Sequence, residues 1–304
     1  ARTCSGIGDA IPTVLTMTVV PILGAGSSMA DYRIGFKWWA LIIAVVFVIS
    51  ELVCVVCVPE RPVACDEKPG KISDMFKALF KNDQAMTVVV SIILVYTSLN
   101  ICGNLVLYFF RFDVGNEGAY SIFAAVAFAA QVLVMMVIPL LRKRFSKSQL
   151  FISGFIIQIA GFAVILIMAF AKLYTPQSWY ILCLPGILIY LGYGMLNVIM
   201  TIFLSDSVDY GEVMNDTREE SVIFSMQTFT VKLASGVAVF LAGLVVDWIH
   251  LDTAAAVQTQ DTLDALRMWM TIPSVILLIV GIFVFKRFYK LDDTRMEEIK
   301  SKLN

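Results

Sequence analysis

Five residues between 227 and 235 carry the chain's most legible chemistry. Gln227, Thr228, Val231, Lys232 and Ser235 fall at helical spacing on one face of an otherwise apolar run. They offer an amide, two hydroxyls and an ammonium, the convergent donors and acceptors that a polyhydroxylated ligand such as a sugar needs. Lys232 stands alone, with Glu220 the preceding charge and Asp247 the next. A lysine held about halfway across a bilayer costs about 2.5–3.5 kcal/mol on insertion scales, so charges kept at that depth face a polar cavity and bind something. The bland reading is a packing lysine paired with a carboxylate on a neighbouring helix. Polar side chains also join helices at about 0.6 kcal/mol each, but lysine is a poor choice for that purpose.

Two further stripes repeat at helical spacing. Tyr190, Tyr193, Gly194, Asn197 and Thr201 lie along one run, and Tyr96, Asn100, Asn104 and Tyr108 recur every four residues along another. Each could be the wet wall of a cavity or a packing face with interhelical hydrogen bonds. Pro185-Gly186 is expected to break the first of these helices early, as suits a gating element. Residues 205–220 are expected to form an acidic loop with Asp206, Asp209, Glu212, Asp216, Glu219 and Glu220, and with Arg218 inside it. Arg142, Lys143, Arg144 and Lys147 supply opposite charge in a 142–148 loop. Facing each other, the two loops could form a gate of ion pairs. They could equally be solvated, each pair then contributing about 0–1 kcal/mol.

Composition says what must position these groups. Hydrophobic residues make up 59% of the 304 and charged residues 15%, against about 25% charged in soluble domains, and mean hydropathy is +0.82. About 20 mostly apolar residues span a bilayer as a helix. Eight segments qualify: 9–26, 38–58, 85–110, 119–141, 149–171, 179–204, 221–247 and 266–286. None alternates apolar and polar residues as barrel strands do. The expected fold class is an all-α multi-pass membrane protein whose partner is the lipid bilayer. No nucleic-acid partner is expected, although the net charge of −1 itself says nothing about one. With the 59–84 loop on the cytoplasmic side, 16 Lys and Arg fall on that side and 5 on the other. The preference of basic residues for the inside then puts both ends of the chain in the cytoplasm of the cell membrane. Ile72, Met75, Phe76, Leu79 and Phe80 form an apolar stripe flanked by Lys71, Lys77 and Lys81. That pattern predicts an amphipathic helix, lying either on the leaflet or on the protein.

The run Asp206-Ser-Val-Asp209-Tyr210-Gly211-Glu212, followed by Gln227-Thr228-(x)3-Lys232, resembles the melibiose permease family. These are the glycoside–pentoside–hexuronide:cation symporters of the major facilitator superfamily. Leu79-Phe80-Lys81-Asn82, the helix end Leu107-Tyr108-Phe109-Phe110-Arg111 and the tail Tyr289-Lys290-Leu291-Asp292 also fit. The resemblance covers the whole chain but starts at the family's fifth helix. It implies a major facilitator fold with four preceding helices. Residues 1–58 would be the last two helices of an N-terminal half, 59–84 the middle loop, 85–288 a C-terminal six-helix half and 289–304 a cytoplasmic tail.

The resemblance also implies roles. Gln227, Thr228, Val231 and Lys232 match sugar contacts, and Arg2 matches an arginine that touches the sugar, with Ser5 one turn on. Arg2-(x)2-Ser5-Gly6 echoes Lys232-(x)2-Ser235-Gly236, which would set Arg2 opposite Lys232 in one central cavity. Asn197 falls at a sugar-facing position where the best-known member has a large aromatic residue, and Tyr193 could supply the missing ring. Asp206, Asp209, Glu212 and Arg218 would close a cytoplasmic gate, with Arg142 and Arg144 opposite. The implied activity is symport of a sugar or glycoside with H⁺, Na⁺ or Li⁺ by alternating access, in a protein expected to be monomeric when complete. The coupling-cation site is expected mainly on the preceding helices, because the resemblance implies aspartates on helices of the N-terminal half as its ligands. A transporter of a lysolipid or organic anion on the same fold, or a membrane sensor, remain alternatives.

Enzymatic chemistry is not expected. No nucleophile–base pair or phosphate loop is visible. The single histidine, His250, and six scattered cysteines assemble no metal site, so no metal and no cofactor are expected beyond the coupling cation. Cys54-Val-Val-Cys57 lies in an apolar run and is expected to behave as small buried hydrophobes.

Overall fold

The computed structural model describes residues 2–25, 29–57, 77, 79–215, 220–253, 255 and 257–303. Inside those helices the side chains of residues 2–7, 9–10, 13–14, 17, 29–30, 215 and 302–303 are not described. The chain divides near residue 70 into two compact units, a division that falls inside the 59–84 stretch.

The first unit contains α1 (Arg2–Gly24) and α2 (Met29–Cys57). They cross closely at glycine: a Cβ on Gly35 would collide with the carbonyl of Val20, and Trp39 donates to Thr16 Oγ1 at 2.8 Å. Every residue of α2 from 40 to 57 is exposed. Cys54 and Cys57 are therefore free and exposed rather than buried, because no described residue of the unit covers that part of α2.

The second unit is a bundle of α3 (Asp83–Tyr108), α4 (Ala119–Leu141), α5 (Lys147–Phe170), α6 (Cys183–Asn215), α7 (Glu220–Trp248) and α8 (Gln260–Phe288), followed by a short α9 (Asp293–Leu303). Helix starts carry side-chain caps. Asn82 accepts from the Ala85 amide, Ser146 and Gln149 form a reciprocal capping box, and Thr259 accepts from the Thr262 amide. α3 continues through a π-helical turn, Phe109–Val114, and stops at Gly115, whose φ of 75° suits glycine. Among the described residues seven helices are long and apolar enough to cross a membrane: α2, α3 with its π turn, and α4 to α8. Of the expected 9–26 span, residues 9–24 lie in α1, which is not among these seven, and residue 26 is outside the described residues.

α3 packs on α7, α8 and α6; α6 packs on α5 and α4; α5 also meets α8; and α9 lies against α6. The α5–α6 seam is set by glycine. A Cβ on Gly161 would reach Ile189 N at 2.7 Å, and one on Gly192 would reach Gly154 O at 2.6 Å and Gln158 N at 2.7 Å. Small residues let helix backbones approach this closely where lipid offers no competing hydrophobic drive. Phe151, Phe155, Phe203, Phe285 and Tyr289 form a ring cluster between α5, α6 and α8, with centroids 4.4–5.2 Å apart.

Two expectations change here. Residues 205–215 are not loop but the last three turns of α6. The apolar-run criterion stops at the first charge, whereas Asp206, Ser207 and Val208 are buried and the helix continues. Nor does Pro185-Gly186 break α6. Pro185 sits in its first turn, where a missing N–H costs nothing, and Gly186 makes room for the Phe123 ring.

Candidate functional site

Midway along α3 and α6 the two polar stripes meet. Asn197 Nδ2 donates to Tyr96 Oη at 2.7 Å and lies 3.4 Å from Tyr193 Oη. The Tyr96 and Tyr193 rings stand edge to face with centroids 5.5 Å apart, a favoured aromatic geometry. Tyr190 extends the group toward Phe128 at 5.2 Å. Asn100 and Asn104 donate back to carbonyls of their own helix, to Tyr96 O and Asn100 O, each at 2.7 Å. These asparagines are half-buried and their amide nitrogens do not tie helices together.

On α7 the expected face divides. Ile223, Met226, Gln227, Thr230, Ala234 and Ala238 are buried and pack toward α3, with Gln227 only 5% exposed. Thr228 and Lys232 are exposed, while Val231 and Ser235 are half-buried. Gln227 and Lys232 are about 140° apart around a helix of 3.6 residues per turn, so α7 cannot turn both toward one surface. Thr230, unnoticed in the sequence, shares the buried side. Thr228 Oγ1 donates to Phe224 O at 3.3 Å. Among the described residues Lys232 makes no hydrogen bond or ion pair. Arg2 and Ser5 lie in α1, but their side chains are outside the described residues.

The end of the bundle holding the α4–α5 connection and α9, here the basic end, carries an ion network. Lys147 Nζ pairs with Asp206, both side chains 7% exposed. It also lies 3.4 Å from Asp293 Oδ1. Arg142 Nη2 reaches the same oxygen at 3.4 Å, and the Lys147 backbone N–H donates to Asp293 Oδ2 at 3.4 Å. Burial pushes the Asp293 carboxyl up, but the Arg142 hydrogen bond and the Lys147 and Arg142 charges outweigh it and hold it below the ordinary value. Of the basic residues expected opposite the acidic stretch, Lys147 takes Asp206, while Arg142 takes the tail. Arg144 is exposed and makes no ion pair among the described residues. Asp209 and Glu212 are half-buried on α6 and both are engaged in interactions; Arg218 lies outside the described residues. Asn82 donates to Ser207 O at 2.7 Å and so ties the start of α3 to α6.

The opposite end holds a cluster that sequence reasoning missed. Arg267 grips Asp113 with two bonds, Nε to Oδ2 at 2.8 Å and Nη2 to Oδ1 at 2.6 Å. Their side chains are 4% and 3% exposed. Arg267 Nη1 also meets Asp264 at 2.7 Å, and Tyr174 donates to Asp113 Oδ2 at 2.6 Å. Burial and the hydrogen bond to Asp113 push the Tyr174 hydroxyl far above its ordinary value, so it stays a donor. The available signal was Arg267 itself, a charge just inside the 266–286 segment, which demands a partner.

The model of one family, described as MFS/sugar transport protein, matches residues 2–293. The chain belongs to that family. Membership agrees with the resemblance to the melibiose permease group, and the all-α membrane fold follows from it together with the seven candidate spans. The chain is similar to the raffinose carrier protein of Pediococcus pentosaceus, 24% identical over 310 residues, covering 100% of this chain and 47% of that protein. It is similar to the isoprimeverose transporter of Lactiplantibacillus pentosus, 24% identical, covering 94% and 58%. The lactose permease of Lactobacillus delbrueckii subsp. bulgaricus is 23% identical, with 100% and 48% covered. The chain thus spans about half the length of the curated relatives it matches.

Proposed function

We propose that the protein is a secondary active transporter that carries a sugar or glycoside with a cation by alternating access and releases it unchanged. The observation that carries the reading is the Asn197–Tyr96–Tyr193 group at mid-depth, on helices adjacent to one bearing the unpaired Lys232, in a chain of the sugar-transport family. The three relatives above are named for oligosaccharides, and a small oligosaccharide is the favoured cargo here. Thr228, Val231, Lys232 and Asn197 would line the site, while Gln227 would support α7 from its packed side. The basic end would face the cytoplasm, a reading the Lys and Arg asymmetry supports, and the Lys147–Asp206 pair would belong to the gate that closes there. The coupling ion would be H⁺, Na⁺ or Li⁺. A monomer suffices for this cycle.

The test is uptake of radiolabelled raffinose, lactose and isoprimeverose by cells expressing the full gene product. Accumulation against a gradient, collapsed by ionophores and abolished by Lys232→Ala in protein that still reaches the membrane, is expected. Wild-type accumulation in Lys232→Ala, or no uptake of any oligosaccharide, would overturn the reading.

A further inference from the structure

The aromatic ring that the family resemblance asks for is not at position 197, and the structure shows where a ring is available. Tyr193 is only 9% exposed, its ring held edge-on against Tyr96. Tyr96, on a different helix, is half-buried, so part of it is open. The hydrogen bond to Asn197 leaves a specific remainder. When Asn197 Nδ2–H donates to Tyr96 Oη, the Tyr96 O–H is still a donor and Asn197 Oδ1 is still an acceptor. If the amide were turned over, Tyr96 would donate to Oδ1, and Nδ2 would be the donor left over. The Tyr193 hydroxyl also hydrogen-bonds that of Tyr96; with Tyr193 as the donor there, one donor and one acceptor remain side by side on Tyr96 and Asn197, and Asn197 makes no side-chain hydrogen bond beyond these two tyrosines among the described residues. Adjacent hydroxyls on a pyranose ring need that combination.

Depth agrees. Tyr96 is thirteen residues beyond Asp83 along α3 and Lys232 twelve residues beyond Glu220 along α7. At 1.5 Å per residue both lie about 18–20 Å from the basic end. α3 packs on both α6 and α7, so it stands between the Asn197 and Lys232 helices. Asn100 and Asn104 continue the Tyr96 face, each with its amide nitrogen turned back to its own helix and its side-chain carbonyl without a described donor. A face that only glued helices together would spend those amides across the interface.

We propose that Tyr96 is a sugar-binding residue, with its hydroxyl and Asn197 Oδ1 bonded to adjacent hydroxyls of one pyranose ring that rests against the exposed part of the Tyr96 ring. The inference rests on the sugar-transport reading and adds α3 to the site, with a pair that selects sugars by the placement of two neighbouring hydroxyls.

The experiment uses the full gene product in membrane vesicles, the sugar it accumulates and a set of monodeoxy analogues of that sugar. Tyr96→Phe keeps the ring and removes only the hydroxyl. The expected result is a KM raised about tenfold or more, the size of one lost hydrogen bond to a ligand, with Vmax within about twofold. The variant should also lose the preference for the parent sugar over one particular deoxy analogue while keeping the preference over the others. Asn197→Ala should blunt discrimination at the neighbouring hydroxyl. An unchanged KM and deoxy profile in Tyr96→Phe would sink this inference alone, leaving the transport reading intact. A variant that is merely depleted from the membrane, with wild-type KM and profile in what remains, marks a structural role and overturns it equally. If the wild type moves no sugar, both readings fall together.

Discussion

Arg267→Met should remove about 3–5 kcal/mol of folding stability, the cost of deleting one partner of a buried ion pair. The geometry supports the full range. Both side chains are nearly inaccessible, and the guanidinium holds both carboxylate oxygens, at 2.8 and 2.6 Å. Without it Asp113 keeps one neutral donor, the Tyr174 hydroxyl at 2.6 Å, against a desolvation cost that one neutral hydrogen bond cannot offset. Asp264 loses its 2.7 Å bond too, but its side chain is 35% exposed and water can replace the guanidinium, so it adds little. At 1.4 kcal/mol per tenfold, the folded-to-unfolded ratio should fall roughly 100-fold to 4,000-fold. Arg267→Met combined with Asp113→Leu removes the stranded charge and should return to within about 1 kcal/mol of wild type. Arg267→Lys should fall between, since an ammonium cannot form the two-pronged grip. Reversible denaturant unfolding in micelles, followed by the fluorescence of Trp248 and Trp269, whose rings lie 5.6 Å apart, measures all three. A single-variant loss below about 1 kcal/mol, or a double variant no better than the single, would refute the reasoning.

Gly192→Ala should cost about 1–3 kcal/mol in the same assay, because the new carbon would sit 2.6–2.7 Å from Gly154 O and from Gln158 N and Cβ, none of which can swing aside. Gly103→Ala, whose new carbon meets nothing within 4 Å, should cost nothing, and equal losses at the two sites would count against the close-packed seam. The lowered carboxyl of Asp293 makes the docking of α9 pH-dependent at the acid end only. A depressed carboxylate contributes above its unfolded value, near 3.8, and that contribution is lost as pH falls through the lower folded value. A spin label on Ser301→Cys should therefore be equally immobile from pH 8 to 5 and loosen only below about pH 4; loosening near neutrality would contradict the Arg142–Lys147 assignment.

The membrane helices were legible because span length and apolar run are properties of one segment at a time. The ends were not. α6 runs past 204 to Asn215 because Asp206 has Lys147 to bury against, a partner 59 residues away. Pairing between helices depends on how each is rotated, which spacing along one helix does not reveal. Tyr96 and Asn197 were each visible as members of a stripe, but their contact, 101 residues apart, was not. The Arg267–Asp113 grip, 154 residues apart, escaped for the same reason. Along α7 the polar positions were read correctly, while the 140° between Gln227 and Lys232 was compressed into one face. The exposure of Lys232 shows which part of that arc α3 leaves open.

The length of α6 has a mechanical meaning. Its 33 residues make an unbroken rod of about 50 Å, against a hydrocarbon core of about 30 Å. Asn197 sits within its middle third, and Asp206, Asp209 and Glu212 lie nine to fifteen residues further on. A tilt of about 10° pivoting at Asn197 would carry Asp206 sideways by roughly 2 Å and Glu212 by roughly 4 Å, at 1.5 Å of rise per residue. The smaller displacement already exceeds what an ion pair tolerates at hydrogen-bonding distance. If a ligand binds at Asn197 as proposed, a small adjustment of α6 against it would be amplified along a stiff lever into a shift of charges far from it. No chain of intermediate residues would be needed to carry the signal, because the helix that bears Asn197 also bears Asp206.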